Sequence, residues 1–244
     1  MSDRPRVAIV TGGSGGIGRA VAERLAADGM SVIVHYAGNV DRAEEVVAAV
    51  TAAGGTAVAA AADVAEPAEV ETVFDLAQER FGGVDVVVNT AGIMVLSRLV
   101  DLDLDDFDRR HRVNVRGTFV VSRLAAQRLR SGGALINFSS SVRRRAPETY
   151  SAYSATKGAV EAMTLILAKE MRGRDVTVNT VAPGPTATAL FLDGKDQAAI
   201  DDLAAMAPLE RLGRPEDVAE TVSFLAGPAR WVNGQIIYTN GGLI

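Results

Sequence analysis

Tyr153 and Lys157 stand four residues apart, and Ser140 lies thirteen residues before the tyrosine. Four residues is about one helical turn, so a helix here sets the phenol and the ammonium on one face, close enough to interact. A phenol ordinarily titrates near pH 10, and a neighbouring cation favours its anion. At an effective dielectric of about 20, a charge roughly 4 Å away contributes about 4 kcal/mol, or about three pKa units. That figure is an upper limit, since burial of either group opposes it. A tyrosine shifted in this way can donate or accept a proton during catalysis near neutral pH. Such a pair is also an ordinary feature of a helix surface, so other parts of the chain must decide between the two readings.

Residues 7–10 (VAIV) form the short apolar run expected of a buried strand. They lead into Thr11-Gly12-Gly13-Ser14-Gly15-Gly16-Ile17-Gly18 and then into the helically periodic RAVAERLAADG. Gly13, Gly15 and Gly18 satisfy G-x-G-x-x-G between a strand and a helix, the setting that motif requires. Glycines let the backbone approach a pyrophosphate, and the helix N-terminus adds free N–H groups and a positive dipole end. The second strand, 31–36 (SVIVHY), closes on His35-Tyr36-Ala37-Gly38-Asn39, with no acid before Asp41. A carboxylate about twenty residues past the glycines would hold a ribose 2′-hydroxyl and favour NAD(H). Its absence leaves a 2′-phosphate unopposed, with Arg42 the nearby base, so NADP(H) is favoured over NAD(H).

With these residues in place the chain resembles the short-chain dehydrogenase/reductase family over essentially its whole length. The loop matches T-G-x-x-x-G-x-G at Thr11, Gly12, Gly16 and Gly18, and Asn89-Thr90-Ala91-Gly92 resembles the N-A-G segment that steadies the central sheet. Asp63-Val64 resembles the pair that contacts the adenine ring, and Pro183-Gly184 with Thr188 resembles the P-G-x-x-x-T that holds the nicotinamide carboxamide. Asn114, Ser140, Tyr153 and Lys157 occupy the positions of the catalytic tetrad. The resemblance implies that Ser140 hydrogen-bonds the substrate carbonyl and Tyr153 moves its proton. Lys157 would bind the nicotinamide ribose and lower the tyrosine pKa, while Asn114 would hold a relay water. Ser14, Ile17, Tyr36, Asn39 and Thr186 complete the implied cofactor contacts. Ser139 and Ser141 flank Ser140, and the thirteen-residue spacing to Tyr153 selects the middle serine; a strand-end hydroxyl and a turn residue are the structural roles of the other two. The chain departs from the pattern at Gly15, where NADP-dependent members often carry a base, and at Asn240-Gly241-Gly242, usually Asp-Gly-Gly.

Apolar runs at 7–10, 31–36, 56–60, 84–89, 133–138, 176–181 and 235–239 alternate with helical segments. That alternation predicts an α/β doubly wound parallel sheet of seven strands, Rossmann-type by resemblance, with helices on both faces. No linker, repeat or low-complexity stretch divides the 244 residues, so residues 1–244 are expected to form one domain. There is no cysteine, which excludes a disulfide framework and thiolate chemistry. His35 and His111 are isolated from each other, and no metal site is expected. A net charge of −5 argues against general affinity for nucleic acid. No signal peptide or membrane span is read, and a cytoplasmic location is expected.

Residues 186–212 are expected to form a substrate lid. Phe191, Leu192, Met206 and Leu209, with Met94, Val95 and Leu96, either line an apolar pocket or pack the core. Arg143-Arg144-Arg145 stands where relatives usually have small residues. It is either a solvated basic turn or a site for an anionic group: a carboxylate, a coenzyme A phosphate or an acyl carrier protein. Arg128, Arg130, Arg172 and Arg174 add basic character at positions resembling the carrier-docking region of 3-oxoacyl-carrier-protein reductases. Two functions follow: an NADP(H)-dependent reductase of a ketone or 3-oxoacyl thioester, or an NADP-binding sensor or scaffold without turnover. The resemblance also implies a homodimer or homotetramer, paired through the helices carrying Asn114 and Tyr153.

Overall fold

The apolar runs read from the sequence all enter one sheet. The computed structural model describes residues 4–244. Strands β1 (Val7–Thr11), β2 (Ser31–Tyr36), β3 (Thr56–Ala61), β4 (Val84–Asn89), β5 (Leu129–Phe138), β6 (Thr177–Pro183) and β7 (Ile236–Thr239) lie in the order β3-β2-β1-β4-β5-β6-β7. Every pairing is parallel. Parallel strands need crossovers, and the crossovers here cover both faces, which is why the strands read as unbroken apolar runs. Successive residues of β1 illustrate this: Ala8 and Val10 pack into one core, Val7 and Ile9 into the other.

The first core is closed by α1 (Gly16–Ala27), α2 (Val40–Ala52) and, from the far end of the chain, α10 (Pro215–Ala226). The second lies under α3 (Pro67–Phe81), α5 (Thr118–Arg128) and the C-terminal end of α7 (Ser151–Glu170). Between the last strands run α4 (Leu104–Arg110), α6 (Val142–Arg145), α8 (Ala189–Leu192) and α9 (Gln197–Ala205). None of the helices among the described residues is long and apolar enough to cross a membrane.

Two features depart from the sequence pattern. β5 starts at Leu129 rather than 133, and its register against β4 shifts between Val84 and Val86. The added residues, Leu129-Arg130-Ser131-Gly132, carry no apolar alternation and so could not be read as strand. They are held instead by Arg130, whose guanidinium pairs with Asp85 on β4. A π-helical turn, His111–Gly117, also interrupts what would otherwise be one helix from α4 into α5.

The order of strands reverses beside β1, because the chain leaves β3 at one edge and returns as β4 on the other side of β1. A crevice outside the carboxyl ends of β1 and β4 is the usual ligand position in such a sheet. The glycine loop enters it, and two of its glycines make opposite demands. A Cβ on Gly18 would lie 2.2 Å from the Gly12 carbonyl oxygen and 2.7 Å from Thr90 Oγ1, whereas a Cβ on Gly15 would meet nothing within 4 Å. Gly18→Ala should therefore cost about 1–3 kcal/mol and lower Tm by several degrees, while Gly15→Ala stays within about 3 °C of the parent. Thermal denaturation of the two variants side by side checks this; equal Tm values would contradict the packing.

Candidate active site

A row of polar side chains crosses the sheet immediately below the crevice. Thr11 on β1 aligns with Asn89 on β4, Asn89 with Asn137 on β5, and Asn137 with Thr180 on β6. Thr11 Oγ1 donates to Asn89 Oδ1 at 2.7 Å, Asn89 Nδ2 donates to Asn137 Oδ1 at 3.3 Å, and Asn137 exchanges with Ser122 of α5. Thr11 Oγ1 also accepts the Ala91 N–H, and the Thr90 hydroxyl donates to the Thr11 carbonyl. The turn after β4 is thereby fixed to the turn after β1. Thr11 and Asn89 are buried and act beneath the crevice rather than in its wall.

Above this row opens a cleft lined by Ser140, Tyr153 and Lys157 together with Ile17, Gly92, Pro183, Gly184, Thr186 and Thr188. Tyr153 and Lys157 sit one turn apart on α7 as their spacing predicts. Ser140 follows the end of β5, and its neighbours are buried in other tasks: Ser139 Oγ donates to Glu161 Oε1 at 2.7 Å, and Ser141 Oγ to the Ala182 carbonyl at 3.3 Å. Ser140 is the half-exposed member of the three. Asn114 does not line the cleft. It is buried behind it, where its amide accepts from Ile93 N and donates to Ile93 O, both at 2.9 Å, and donates to Thr156 Oγ1 on α7 at 3.2 Å. Sitting in the π-helical turn, it ties the strand-end segment 92–94 to the helix that carries the tyrosine.

Electrostatically the pair differs from the sequence expectation. Burial raises the Tyr153 phenol above its ordinary value, the neighbouring Tyr150 adds to this, and the Ser140 hydroxyl partly opposes it. Burial also lowers the Lys157 ammonium, to about 8. Lys157 Nζ donates to the Phe138 carbonyl at 3.0 Å and lies 5.6 Å from the centre of the Tyr153 ring. Desolvation of both groups thus outweighs their mutual attraction, and the phenol of the resting chain is held protonated.

The glycine loop fits a dinucleotide. α1 begins at Gly16 with no side-chain cap on its N-terminal N–H groups and no acid in its first turn, so the anion-attracting end of the helix is left open. Gly12 packs against Ala91, with 3.1 Å left for a Cβ, and Gly16 lies under Thr188. Gly92 keeps the space over Asn114 and Lys157 free of a side chain. Ser14 stands in the loop between Gly13 and Gly15, partly exposed. Tyr36 closes β2, and Asn39 Oδ1 caps α2 by accepting from Arg42 N at 2.9 Å, with no acid ending β2. Asp63 accepts from Ala65 N and pairs with Arg112 at 2.6 Å, while Val64 packs against Gly117. Thr186 donates to the Gly184 carbonyl, and Thr188 caps α8.

On the substrate side, Met94 and Phe191 line the cleft; Leu192, Met206, Leu209, Val95 and Leu96 do not. Leu209 lines a separate pocket with Gly241, and Met206 is half exposed. The cleft wall includes Val142, Tyr150, Leu190, Leu203 and Leu243, none of which the sequence singled out. Tyr150 was detectable only through its spacing of three from Tyr153. The triple arginine divides three ways. Arg143 pairs with the buried Glu161, Arg144 lies 5.0 Å over the Tyr238 ring, and Arg145 lines the cleft. Arg128 pairs with Asp75, Arg130 with Asp85, and Arg174 donates to the Ala126 and Leu129 carbonyls, so these three serve the fold. Among the described residues no cluster of three or more His, Asp or Glu could hold a metal.

Known proteins resemble this chain along nearly its whole length. The family described as enoyl-(acyl carrier protein) reductase matches residues 12–244. A short-chain type dehydrogenase/reductase of Picea abies is 44% identical, over 98% of this chain and 92% of its own. The NADPH-dependent aldehyde reductase-like protein, chloroplastic, of Arabidopsis thaliana is 42% identical, over 98% and 94%. A crystal structure of a short-chain dehydrogenase from Burkholderia cenocepacia J2315 in complex with NADP superposes with a TM-score of 0.92 at 40% identity, covering 98% of each chain.

His35, by contrast, is structural. Gly12 N donates to its Nδ1 at 3.1 Å, so Nε2 carries the proton and donates to the Ala62 carbonyl at 2.9 Å. The ring clamps the glycine loop to β2 and β3, and burial lowers its pKa. A lowered folded pKa means that the unfolded chain takes up the proton first. The contribution of His35 is therefore complete above about pH 6.5 and is lost as pH falls through the lower, folded value. His35→Gln should flatten the decline of Tm between about pH 6.5 and 5; an unchanged slope would show that the ring does not titrate against folding.

Proposed function

Because this chain belongs to the short-chain dehydrogenase/reductase family, we propose that it interconverts a ketone or aldehyde and the corresponding alcohol with NADP(H) as redox partner. The observation that carries this reading is the single cleft in which Ser140, Tyr153 and Lys157 meet the glycine loop at Ile17 and the segment ending in Thr188. Bound NADPH supplies the hydride. The Ser140 hydroxyl donates to the carbonyl oxygen and polarises it. Tyr153, held protonated by burial, gives its proton to that oxygen as negative charge develops there. The Lys157 ammonium stabilises the phenolate left behind and anchors ribose hydroxyls. Asn114 positions Ile93 and α7 and so keeps the two walls of the cleft in register.

NADP(H) over NAD(H) is supported by the acid-free end of β2, by the name of the Arabidopsis relative and by the NADP-bound Burkholderia neighbour. A small carbonyl compound is favoured over a carrier-bound thioester, since three of the four arginines of that region, Arg128, Arg130 and Arg174, are held in internal contacts, and the fourth, Arg172, is exposed. In this reading the chain acts as one domain in which residues 186–212, carrying α8 and α9, close over the substrate. A second copy of the chain covers the exposed Phe119 of α5 and Leu165 and Ile166 of α7; a monomeric mass by light scattering would exclude that pairing.

The first test is the initial rate of NADPH oxidation, with NADH in parallel, on an apolar ketone, an aldehyde and acetoacetyl-coenzyme A. Turnover of the ketone or aldehyde is expected, with kcat/KM at least tenfold higher for NADPH. No turnover of any of the three would favour the sensor alternative. Tyr153→Phe should retain NADPH binding and lose at least about a hundredfold in kcat. For the pH dependence, Lys157 titrates at about 8 and is cationic below that value. Reductive kcat/KM should therefore be maintained below about pH 8 and fall above it; a flat profile from pH 7 to 9 would remove Lys157 from this role.

A further inference from the structure

The cleft that holds Ser140 and Tyr153 has two cationic side chains in its wall, Lys157 and Arg145, and no aspartate or glutamate. Lys157 is occupied by the Phe138 carbonyl and, in the reading above, by the cofactor ribose. Arg145 has no comparable partner. Its Nη2 meets only the thioether of Met206, at 2.8 Å, and among the described residues no carboxylate lies within 4.0 Å of it. The contrast with its neighbours is informative, since Arg143 has a buried glutamate and Arg144 an aromatic face. A thioether is a weak acceptor, so a half-buried guanidinium offers several donors that the chain itself leaves unused.

The backbone around Arg145 is costly to hold in this shape. Ala146, which ends α6, and Thr149 both adopt positive φ, 50° and 69°. Such angles are unfavourable for a side chain with a Cβ, and most of all for a β-branched residue. The Ser97 N–H donates to the Thr149 carbonyl at 3.1 Å and helps to fix the turn. The strained segment runs from Arg145 to Tyr150, and both of its ends line the cleft. Strain of this kind persists where the surrounding structure fixes a side chain in place.

The geometry points to Arg145 as a specificity-determining residue that recognises an anionic oxygen group, a carboxylate first, on a carbonyl substrate whose remaining surface is apolar. The apolar part faces Met94, Val142, Leu190, Phe191 and Leu203. A guanidinium binds a carboxylate through paired N–H donors, which fixes the substrate in orientation as well as in place. A coenzyme A phosphate offers the same anionic chemistry, but the long pantetheine arm separates it from the reacting carbonyl. The small acid is therefore the favoured source. This inference rests on the carbonyl-reductase reading and narrows its substrate class.

The test uses a series of phenyl keto acids with one to four methylenes between carbonyl and carboxylate, each beside its methyl ester, and acetoacetyl-coenzyme A as the second anion source. For the parent enzyme, kcat/KM for the acid at one chain length should exceed that for its ester by at least about tenfold, the effect of one charge-assisted contact. Arg145→Met should collapse that ratio towards one, and Arg145→Lys should restore part of it. A ratio near one at every length, or a ratio that survives in Arg145→Met, overturns the inference. A dependence on Arg145 seen only with the coenzyme A ester assigns the anion to the coenzyme and overturns the small acid. If none of these compounds is reduced, and the apolar ketone and aldehyde are not either, the reductase reading fails by itself. Calorimetric binding of the acids and esters to the NADP+-loaded protein then decides the recognition: tighter binding of an acid, lost in Arg145→Met, upholds it, and equal binding overturns it.

Discussion

The cleft depends on one buried row of hydrogen bonds. Thr11, Asn89, Asn137 and Thr180 occupy matching positions on four adjacent strands, at the level where an apolar sheet becomes a polar site. A polar group buried without a partner is costly, so such a row is stable only when its members satisfy one another. Here Thr11, Asn89 and Asn137 do so side chain to side chain, with Ser122 of α5 as the last partner, while Thr180 is met separately by the Thr164 hydroxyl of α7, 2.6 Å from its Oγ1. The same level of the sheet therefore anchors the glycine loop and the turn after β4 through Thr11 and Asn89, and the helix carrying Tyr153 through Thr180. Three segments distant in sequence share one rigid reference.

Against that rigid background, solvation decides the acid–base chemistry. A lysine one turn from a tyrosine suggests a lowered phenol pKa when only their mutual charge is considered. In the folded chain both are withdrawn from water, and withdrawal disfavours the phenolate and the ammonium alike. The resting state is accordingly a neutral phenol beside a lysine whose proton is loosely held. In the reductase reading, transfer of the phenol proton therefore awaits the negative charge that develops on a bound carbonyl oxygen.

The sequence disclosed those parts whose signal is local. The glycine loop, the α7 pair and six of the seven strands are readable because tight turns, helical spacing and doubly buried strands each leave a mark within a few residues. What stayed hidden depends on partners far along the chain. The three arginines are indistinguishable in sequence, and only Glu161, Tyr238 and Met206 separate their fates. The early start of β5 rests on the Arg130–Asp85 pair rather than on hydrophobic alternation. The position of Asn114, behind the cleft wall instead of in it, follows from the π-helical turn, which no spacing rule announces.

That turn also sets a counting rule for the segment around it. A π-helical turn holds one residue more than the α-helix it replaces, and at its C-terminal end the Thr118 hydroxyl donates to the Asn114 carbonyl at 2.7 Å. Each residue in a helix advances the side chains by about 100°. The extra residue is therefore what allows Asn114 to face Ile93 while Val120, Val121 and Ala125 of α5 face the sheet. Removing it would regularise the helix and put these two faces out of phase. Substitutions on the exposed side of 104–128 are thus a separate matter from changes in its length: the segment can vary in composition far more readily than it can gain or lose a residue.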